Sequence, residues 1–290
     1  MKPATSIEKV CRVLTLLRRR PSVRLVELAE EARLLRSDTH RILNSLRTFG
    51  YVEQDTDTRE YRLGLELLKL GHFVYQNLEV REVAKPFMRT LSEDAIATSN
   101  LAILDPHELD IIFVEQIDSP SEFQVKLRIG TRAGPHSTAI GKMLTAHQDP
   151  STALRILKKD GMPKCTKRTI TDVEQLLAEF EKIRALGYAT DHEEAVEGAC
   201  CISAPVRDHR GEVVAALSIS MMAARLGPSQ EGSLIRMVRS TAARISAELG
   251  YEAMHHSRSR GVPQPELTAQ NASRLTLPPH RRGTPPHISK

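Results

Sequence analysis

Three short amphipathic segments followed by a two-stranded pattern occupy the first 63 residues, and few folds accommodate this order. In the first segment, "SIEKVCRVLTLL", the apolar positions at helical spacing are Ile7, Val10, Cys11, Leu14 and Leu17. This helix is expected to end at "RRRP", because the residue before Pro21 is driven out of the helical conformation. A second helix is expected over "VRLVELAEEA", with Leu25, Leu28 and Ala29 facing inward.

The third segment, "RSDTHRILNSLRTFGYV", is too polar for a core helix and too apolar for a loop. Ser37 is a candidate N-cap, and Gly50 is a candidate stop signal. Ile42, Leu43 and Leu46 form the inner face of the predicted helix. The outer face carries one acid, Asp38, among the polar and basic residues Arg36, His40, Arg41, Asn44 and Arg47.

The stretch "YVEQDTDTREYRLG" indicates two short strands joined by a polar turn, with Val52, Tyr61 and Leu63 as the apolar positions. Three helices and a hairpin with a charged tip predict a winged helix-turn-helix, whose third helix enters a major groove of double-stranded DNA. The candidate DNA contacts are Arg36, Ser37, Thr39, His40, Arg41, Asn44, Arg59 and Arg62. The alternative is a helical bundle whose charged face is only solvated.

The charge of the chain is unevenly distributed. Residues 1–63 carry a net +4, residues 64–252 carry −4, and residues 253–290 carry +5. A basic head on an acidic body favours a polyanionic partner for the head. The last segment, 253–290, has six prolines and almost no apolar clusters, so it is expected to be a disordered basic tail.

Length and composition limit the remaining classes. A chain of 290 residues with 40% apolar residues is long enough for two domains. It lacks Trp and any run of 18 apolar residues, which argues against an aromatic-lined sugar or RNA site and against a membrane span. The four cysteines are scattered, without a C-x-x-C pair. We therefore expect a cytoplasmic protein with no cofactor and no membrane partner.

The body mixes strand and helix patterns. Strands are expected at "SNLAILD", "LDIIFVEQID", "FQVKLRIG", "ACCISAPVRD" and "EVVAALSIS". Helices are expected from Ser137 or Thr138, over "TDVEQLLAEFEKIRALG" with Val173 inward, and over "SLIRMVRSTAARISAELG". These patterns predict an α+β domain. In the strand "AALSISM", Ser218 and Ser220 share one face, and in "CCISAPV" Cys201 shares a face with Ser203.

The start of the predicted helix at Thr138 offers unpaired backbone N–H groups and a positive dipole end, which suit a carboxylate. Small polar groups on one sheet face would supply a pocket floor. Ser218 and Ser220 are equally explained as strand serines bonded to backbone. Asp191 is equally explained as the N-cap of a short helix at "HEEAV".

The chain resembles the IclR family of transcription regulators. The matching motifs are "SIEKVCRVLTLL", "LVELAEEARLLRSDTHRILNSLRTFGYV", "YRLGLELLKLG", "HSTAIGKMLTA" and "DHEEAVEGACCISAPVRDHRGEVVAALSIS", and the resemblance covers residues 5 to about 252. Three positions depart from the pattern. Arg33 stands where the family turns with Gly, Asp38 replaces a common Thr, and Arg207 replaces an aromatic residue or His.

The resemblance implies a winged helix-turn-helix at 1–64, a linker helix at 65–80 and a ligand-sensing, GAF-like effector domain at 81–252. It also implies homodimers through the apolar linker and often homotetramers through the body. The positions that match binders of small carboxylate effectors are Ala139, Ile140, Asp191, Cys201, Ser218 and Ser220. Ala133 and Ala199 match lining positions that are often larger, which predicts room for an acid bigger than pyruvate or glyoxylate.

Other functions are open to the same residues. An enzyme would use Cys201 as nucleophile with His136 or His192 as base and Asp191 as orienting group, but no catalytic motif surrounds them. A metal site would use Cys200, Cys201, His136 and His192, and a redox sensor would use the two cysteines. A DNA-binding protein whose body serves only assembly is the remaining alternative to a regulator that senses a small organic acid.

Overall fold

The head of the computed structural model, which describes residues 5–121 and 127–252, is a winged helix-turn-helix as the sequence predicts. It contains α1 (Ser6–Leu17), α2 (Leu25–Ala32), α3 (Arg36–Thr48), β1 (Val52–Gln54) and β2 (Tyr61–Leu63). The two strands pair in antiparallel register. Val23, just before α2, adds a bridge to the wing through two backbone hydrogen bonds with Tyr61.

The buried face of α1 agrees with the prediction only in part: Leu17 is buried and Val10 and Leu14 pack against the head core as predicted. Val13 and Leu17 are buried, whereas Ile7 and Cys11 are exposed. The prediction began the stripe at the first apolar residue, but α2 and β2 cover a face rotated toward Val13. Leu63, one of the three apolar positions of the predicted hairpin, is also exposed, whereas Val52 and Tyr61 are buried.

The helix ends of the head show one correction. Ser37 lies inside the first turn of α3, and Leu35 occupies its N-cap without a side-chain hydrogen bond. Arg33 ends α2 in the left-handed conformation (φ 53°, ψ 47°), which is the backbone geometry that Gly adopts at least cost. Gly50 (φ 74°) follows α3 as predicted, and a Cβ at Gly64 would lie 2.1 Å from the Gly50 carbonyl oxygen.

The predicted single linker helix is two helices. The helix α4 (Leu65–Gln76) ends at Asn77, and α5 (Glu79–Ala95) begins after Leu78. The helix α4 has no buried residue, and its exposed apolar side chains are Leu65, Leu68, Leu70, Phe73 and Val74. The helix α5 packs on the body through Ala84, Met88 and Leu91.

The body is a five-stranded antiparallel sheet in the order β4–β3–β7–β6–β5. The strands are β3 (Thr98–Leu104), β4 (Ile111–Ile117), β5 (Ala189–His192), β6 (Ala199–Arg207) and β7 (Val213–Met222). The helices are α6 (Ala139–Ala146), α7 (Pro150–Asp160), α8 (Val173–Leu186) and α9 (Pro228–Glu248). One sheet face packs on α5 and α9 and the other on α6 and α8, so the strands are buried on both faces.

Several predictions for the body need correction. The "HEEAV" segment has no helix and forms bends after β5. Val173 at the start of α8 is exposed, and α7 went unpredicted, although Asp149 caps it through the N–H groups of Ser151 and Thr152. The strand predicted at 123–130 lies partly outside the described residues, and 127–130 form loop and turn. The segment 253–290 lies wholly outside them.

No helix in the described ranges is long and apolar enough to cross a membrane.

Candidate effector cavity and DNA-binding surface

The outer face of α3 is exposed as predicted. Arg36, Ser37, His40, Arg41 and Asn44 all present exposed side chains. Thr39 is the exception, because it is fully buried and its hydroxyl donates to the Leu35 carbonyl oxygen at 3.1 Å. Thr39 therefore holds the start of α3 against the head core, and its predicted role in DNA contact is incompatible with this position.

A chain of hydrogen bonds joins the exposed face of α3 to the wing. The Asn44 amide lies 3.3 Å from the His40 ring, and Arg47 donates to Asn44 at 3.5 Å and to Gln54 at 3.2 Å. Gln54 in turn donates to the backbone carbonyl of Arg59, which sits at the wing tip with φ 61°. Arg47 and Gln54 were not among the predicted contacts. They hold the two candidate DNA-contacting elements together.

Two acidic residues modify the charge of this surface. Asp38 pairs with Lys9 of α1 at 2.8 Å and lies 3.5 Å from Arg41. The Lys9 ammonium holds the pKa of Asp38 below its ordinary value, so this carboxylate stays charged and anchors α3 to α1. Arg62 pairs with Glu53 across the hairpin at 2.9 Å, which leaves Arg59 as the wing cation better placed to reach a phosphate.

A cavity of about 160 Å³ lies in the body between the sheet and the start of α6. The six predicted effector residues, Ala139, Ile140, Asp191, Cys201, Ser218 and Ser220, all border it. Ala133 and Ala199 border it too, as do Phe113, Leu127 and Val196 on its apolar side. The tertiary structure thus brings together residues from β5, β6, β7, α6 and the loop after β5.

The floor of the cavity is a polar patch on three neighbouring strands. Cys201 pairs with Ser220 across β6 and β7, and Asn100 pairs with Ser218 across β3 and β7. The Asn100 amide donates to the Ser220 hydroxyl at 3.1 Å, and that hydroxyl lies 3.2 Å from the Cys201 sulfur. Asn100 was not predicted from the sequence, since an isolated Asn in an apolar strand carries no recognisable signal.

The start of α6 forms one end of the cavity. Thr138 is the N-cap, and its hydroxyl accepts from the Gly141 N–H at 2.9 Å. Within the described residues, the N–H groups of Ala139 and Ile140 make no hydrogen bond. A Cβ at Gly141 would lie 2.0 Å from the Gly134 carbonyl oxygen, so only Gly lets this loop lie against the helix. Two free donors at a helix N-terminus constitute an anion-binding geometry.

The loop after β5 is fixed by a buried ion pair. Lys142 of α6 is fully buried and donates to both carboxylate oxygens of Glu194, at 2.7 and 2.8 Å. Thr166 and Thr169 donate to backbone carbonyls of the same loop. Asp191 accepts from the Glu194 N–H at 2.6 Å and the Ala195 N–H at 3.4 Å, as an N-cap would, although no helix follows it.

Burial raises the pKa of Asp191 to about 6, although the Glu194 N–H donor and Lys142 oppose the shift. The group therefore holds a proton more tightly than an exposed carboxyl does. Near neutral pH it is mostly ionised, and it offers the cavity a hydrogen-bond acceptor.

The cysteines are poorly placed for the alternative chemistries. Burial raises the pKa of the Cys201 thiol to about 12, and its hydrogen-bond partner is Ser220. His136 instead bonds the Pro163 carbonyl, and His192 pairs with Glu231, so neither histidine acts as a base for the thiol. Cys200 and Cys201 are adjacent in β6, so their side chains point to opposite sheet faces and do not converge on one ion.

Comparison with known proteins gives separate family matches for the head and for the body. Residues 6–56 match the model of the IclR helix-turn-helix domain, and residues 72–247 match the model of the bacterial transcriptional regulator IclR C-terminal domain. Over 247 residues, the chain is 36% identical to the HTH-type transcriptional regulator KdgR of Escherichia coli K12, covering 85% of this chain and 93% of that protein. It is 34% identical over 217 residues to the HTH-type transcriptional repressor AllR of the same strain, covering 75% and 79%.

Two solved structures are also similar. The C-terminal domain of E. coli KdgR matches with a TM-score of 0.54 and 37% identity, covering 60% of this chain and all of that one. An IclR homolog from Microbacterium hydrocarbonoxydans, solved in complex with 4-hydroxybenzoate, matches with a TM-score of 0.69 and 26% identity, covering 84% and 99%.

Proposed function

The chain belongs to the IclR family of bacterial transcriptional regulators, and we propose that it senses a small organic acid in the cavity and adjusts its affinity for a pseudo-palindromic operator. The family establishes a DNA-binding head and a ligand-binding C-terminal domain. One observation carries the finer proposal: two free N–H groups at the start of α6 border the same cavity as Asp191, Ser218 and Ser220.

The cavity suits an acid with a carboxylate at one end. The free donors of Ala139 and Ile140 and the dipole of α6 favour a negative group there. A volume of about 160 Å³ is near that of a protein cavity that holds benzene. We infer an acid larger than pyruvate or glyoxylate, such as a sugar acid or an aromatic acid. The 4-hydroxybenzoate bound by the Microbacterium homolog supports this size class.

The exposed helix α4 supports dimer formation. Its five large apolar side chains are 49–71% exposed, a surface that a soluble protein usually covers. We propose that a second copy covers it, with higher assembly through the body. A two-fold dimer would present two α3 helices to two operator half-sites, which explains the expected pseudo-palindrome.

We infer that Glu115 couples the body to the linker helices. This residue is 5% exposed on β4, accepts from the Tyr75 hydroxyl of α4 at 3.3 Å and pairs with Arg81 of α5 at 3.0 Å. The Arg81 guanidinium also lies 3.7 Å from the centroid of the Tyr75 ring. The end of α4 is therefore fastened to the edge strand of the sheet.

Two residues before Glu115, the same strand borders the cavity, and a register shift lies between the two positions. Leu101 pairs with Glu115 and Ala102 with Phe113, so Val114 is the extra residue of a bulge. Phe113 borders the cavity, while Val114 joins the core on the other sheet face. A ligand that displaces Phe113 would shift β4 at the bulge and change how Glu115 holds Tyr75. Coupling then follows from differential binding to two arrangements of the linker.

The test is thermal unfolding of the purified protein against a panel of small organic acids. Each hit is then tested for its effect on binding to DNA fragments selected by the protein from a random pool. A ligand of the folded state alone adds roughly 2.7 kcal/mol of stability at a hundredfold excess over its dissociation constant.

We expect a hit that alters DNA affinity and is lost in Ser218→Ala and Asp191→Asn. Ser99→Ala is the matched control, since Ser99 is buried on the opposite face and bonds the Met88 carbonyl. A full panel without a hit would contradict acid sensing and favour a body that serves only assembly.

A further inference from the structure

Asn100 is a buried polar residue whose hydrogen bonding is incomplete. It lies on β3, is 1% exposed and borders the cavity. Its amide nitrogen donates to the Ser220 hydroxyl at 3.1 Å, whereas its oxygen, Oδ1, has no hydrogen-bond partner among the described residues. A buried acceptor without a donor costs about 1–3 kcal/mol, so it calls for an explanation.

Two neighbouring buried serines of the same sheet that do not border the cavity are satisfied. Ser99 donates to the Met88 carbonyl at 3.0 Å, and Ser203 donates to the Leu217 carbonyl at 2.9 Å. The unsatisfied acceptor thus occurs where the sheet borders the cavity. A molecule bound in the cavity would be placed to supply the missing donor.

A second acceptor borders the same space. Both backbone donors to Asp191, from Glu194 and Ala195, go to its Oδ1 atom. The other oxygen, Oδ2, makes no hydrogen bond within residues 5–121 and 127–252. The cavity therefore combines two free donors at α6 with two free acceptors, one on β3 and one on β5.

We propose that Asn100 determines effector specificity by accepting a hydrogen bond from a hydroxyl group, so that the regulator selects hydroxylated carboxylic acids. This inference rests on the proposed function of the cavity as an acid site. The carboxylate of the effector meets the N–H groups of Ala139 and Ile140. Its hydroxyl groups donate to Asn100 and Asp191, neither of which an unsubstituted acid can satisfy.

The first experiment needs no ligand. Asn100→Leu nearly preserves the side-chain shape, removes the unsatisfied oxygen and leaves Ser220 bonded to Cys201. We expect the melting temperature of the ligand-free protein to stay the same or to rise, because residues kept for binding often lower stability. Ser99→Ala, on the neighbouring position with a satisfied hydroxyl, is expected to lower it by about 2 °C or more.

A fall for Asn100→Leu as large as that for Ser99→Ala would overturn the inference. It would show that Asn100 is a structural residue that the fold needs without a ligand.

The second experiment compares acids that differ in hydroxylation. Calorimetric titration uses two pairs, 4-hydroxybenzoate with benzoate and D-gluconate with hexanoate. We expect the wild-type protein to prefer the hydroxylated member of the pair that fits by on the order of 10- to 100-fold. Asn100→Leu is expected to lose most of this preference and to retain its affinity for the unsubstituted member.

The outcomes separate the two proposals. Equal affinity for both members of a pair would overturn the role of Asn100 and leave acid sensing intact. A preference that persists unchanged in Asn100→Leu would do the same. Failure of every acid to bind, in these pairs and in the wider panel, would remove the proposed acid site and this inference with it.

Discussion

The DNA-binding surface of the head and the cavity of the body use polar side chains in opposite ways. On α3 the functional side chains are exposed and bond one another, from His40 through Asn44 to Arg47. In the cavity they are buried, and one oxygen each of Asn100 (Oδ1) and Asp191 (Oδ2) has no donor among the described residues. On the exposed surface of the head, water forms hydrogen bonds with any polar group that lacks a protein partner. A buried polar group depends on its neighbours or on a ligand. Stability and binding should therefore be separable in the head and coupled in the body.

The largest expected effect is from the buried ion pair beside the cavity. Lys142→Met leaves the Glu194 carboxylate buried without its cation, and breaking such a pair costs about 3–5 kcal/mol. The free energy of unfolding, measured by urea titration, should fall by that amount. In the head, Arg62→Met breaks the exposed ion pair with Glu53. This variant should change the free energy of unfolding by about 0.5 kcal/mol or less.

The double variant Lys142→Met/Glu194→Leu is the control for that prediction. It removes both charges and should recover most of the lost stability, because no unpaired buried charge remains. If Lys142→Met lowered the free energy of unfolding as little as Arg62→Met does, the proposed difference between the buried body and the exposed head would be contradicted.

The next effect concerns Asp191 and pH. Its pKa rises from 3.8 to about 6 on folding, so the folded state binds its proton more tightly than the unfolded state. The corresponding stability is complete below pH 3.8 and is lost as pH rises through 6, a loss of about 3 kcal/mol. Asp191→Asn should therefore be more stable than the wild-type protein at pH 7 by up to that amount.

Thermal unfolding between pH 4 and pH 8 measures this difference. The gain should vanish near pH 4, and effector binding should weaken in the same variant. A variant that is less stable than the wild-type protein at pH 7 would show that the Asp191 carboxylate supports the fold in its ionised form.

The third prediction tests the head. Arg41→Ala should weaken binding to the selected DNA by about 1–3 kcal/mol while unfolding changes by about 0.5 kcal/mol or less. Arg59→Ala removes a cation at the wing tip and should weaken binding to all sequences, with a salt dependence reduced by about one counterion. Fluorescence anisotropy over a range of salt concentrations separates base contact from phosphate contact. A large loss of stability in either variant would contradict the separation of the two properties.

The smallest expected effect is at the turn before α3. Arg33 adopts a left-handed conformation (φ 53°) that Gly adopts at less cost, so Arg33→Gly should stabilise the head by about 1 kcal/mol. Glu30→Gly, at an exposed helical position of α2, should destabilise by a similar amount. Opposite signs in thermal unfolding would show that backbone conformation at Arg33, and not a general effect of Gly, sets the result.

Patterns along the chain predicted the elements better than the faces they bury. Helical spacing gave α1 with its observed bounds, yet its buried face turns toward Val13, while Ile7 and Cys11 are exposed. Thr39 was predicted on the DNA side and lies in the core. In a short helix several faces carry apolar residues, so spacing alone leaves the choice of face to the elements that pack against it.

The amino-acid sequence by itself determined the order of elements, the winged head, the α+β body and the family, because periodicity, caps and motifs are local. Only the tertiary structure placed Asn100 and Phe113 at the cavity that the residues matched by motif also border, and joined Lys142 of α6 to Glu194 of the loop after β5. These groups lie far apart along the chain and meet through strand register and helix packing. The unpaired acceptor of Asn100 can be recognised only when all its neighbours are placed, because burial and hydrogen bonding of a side chain depend on the whole fold.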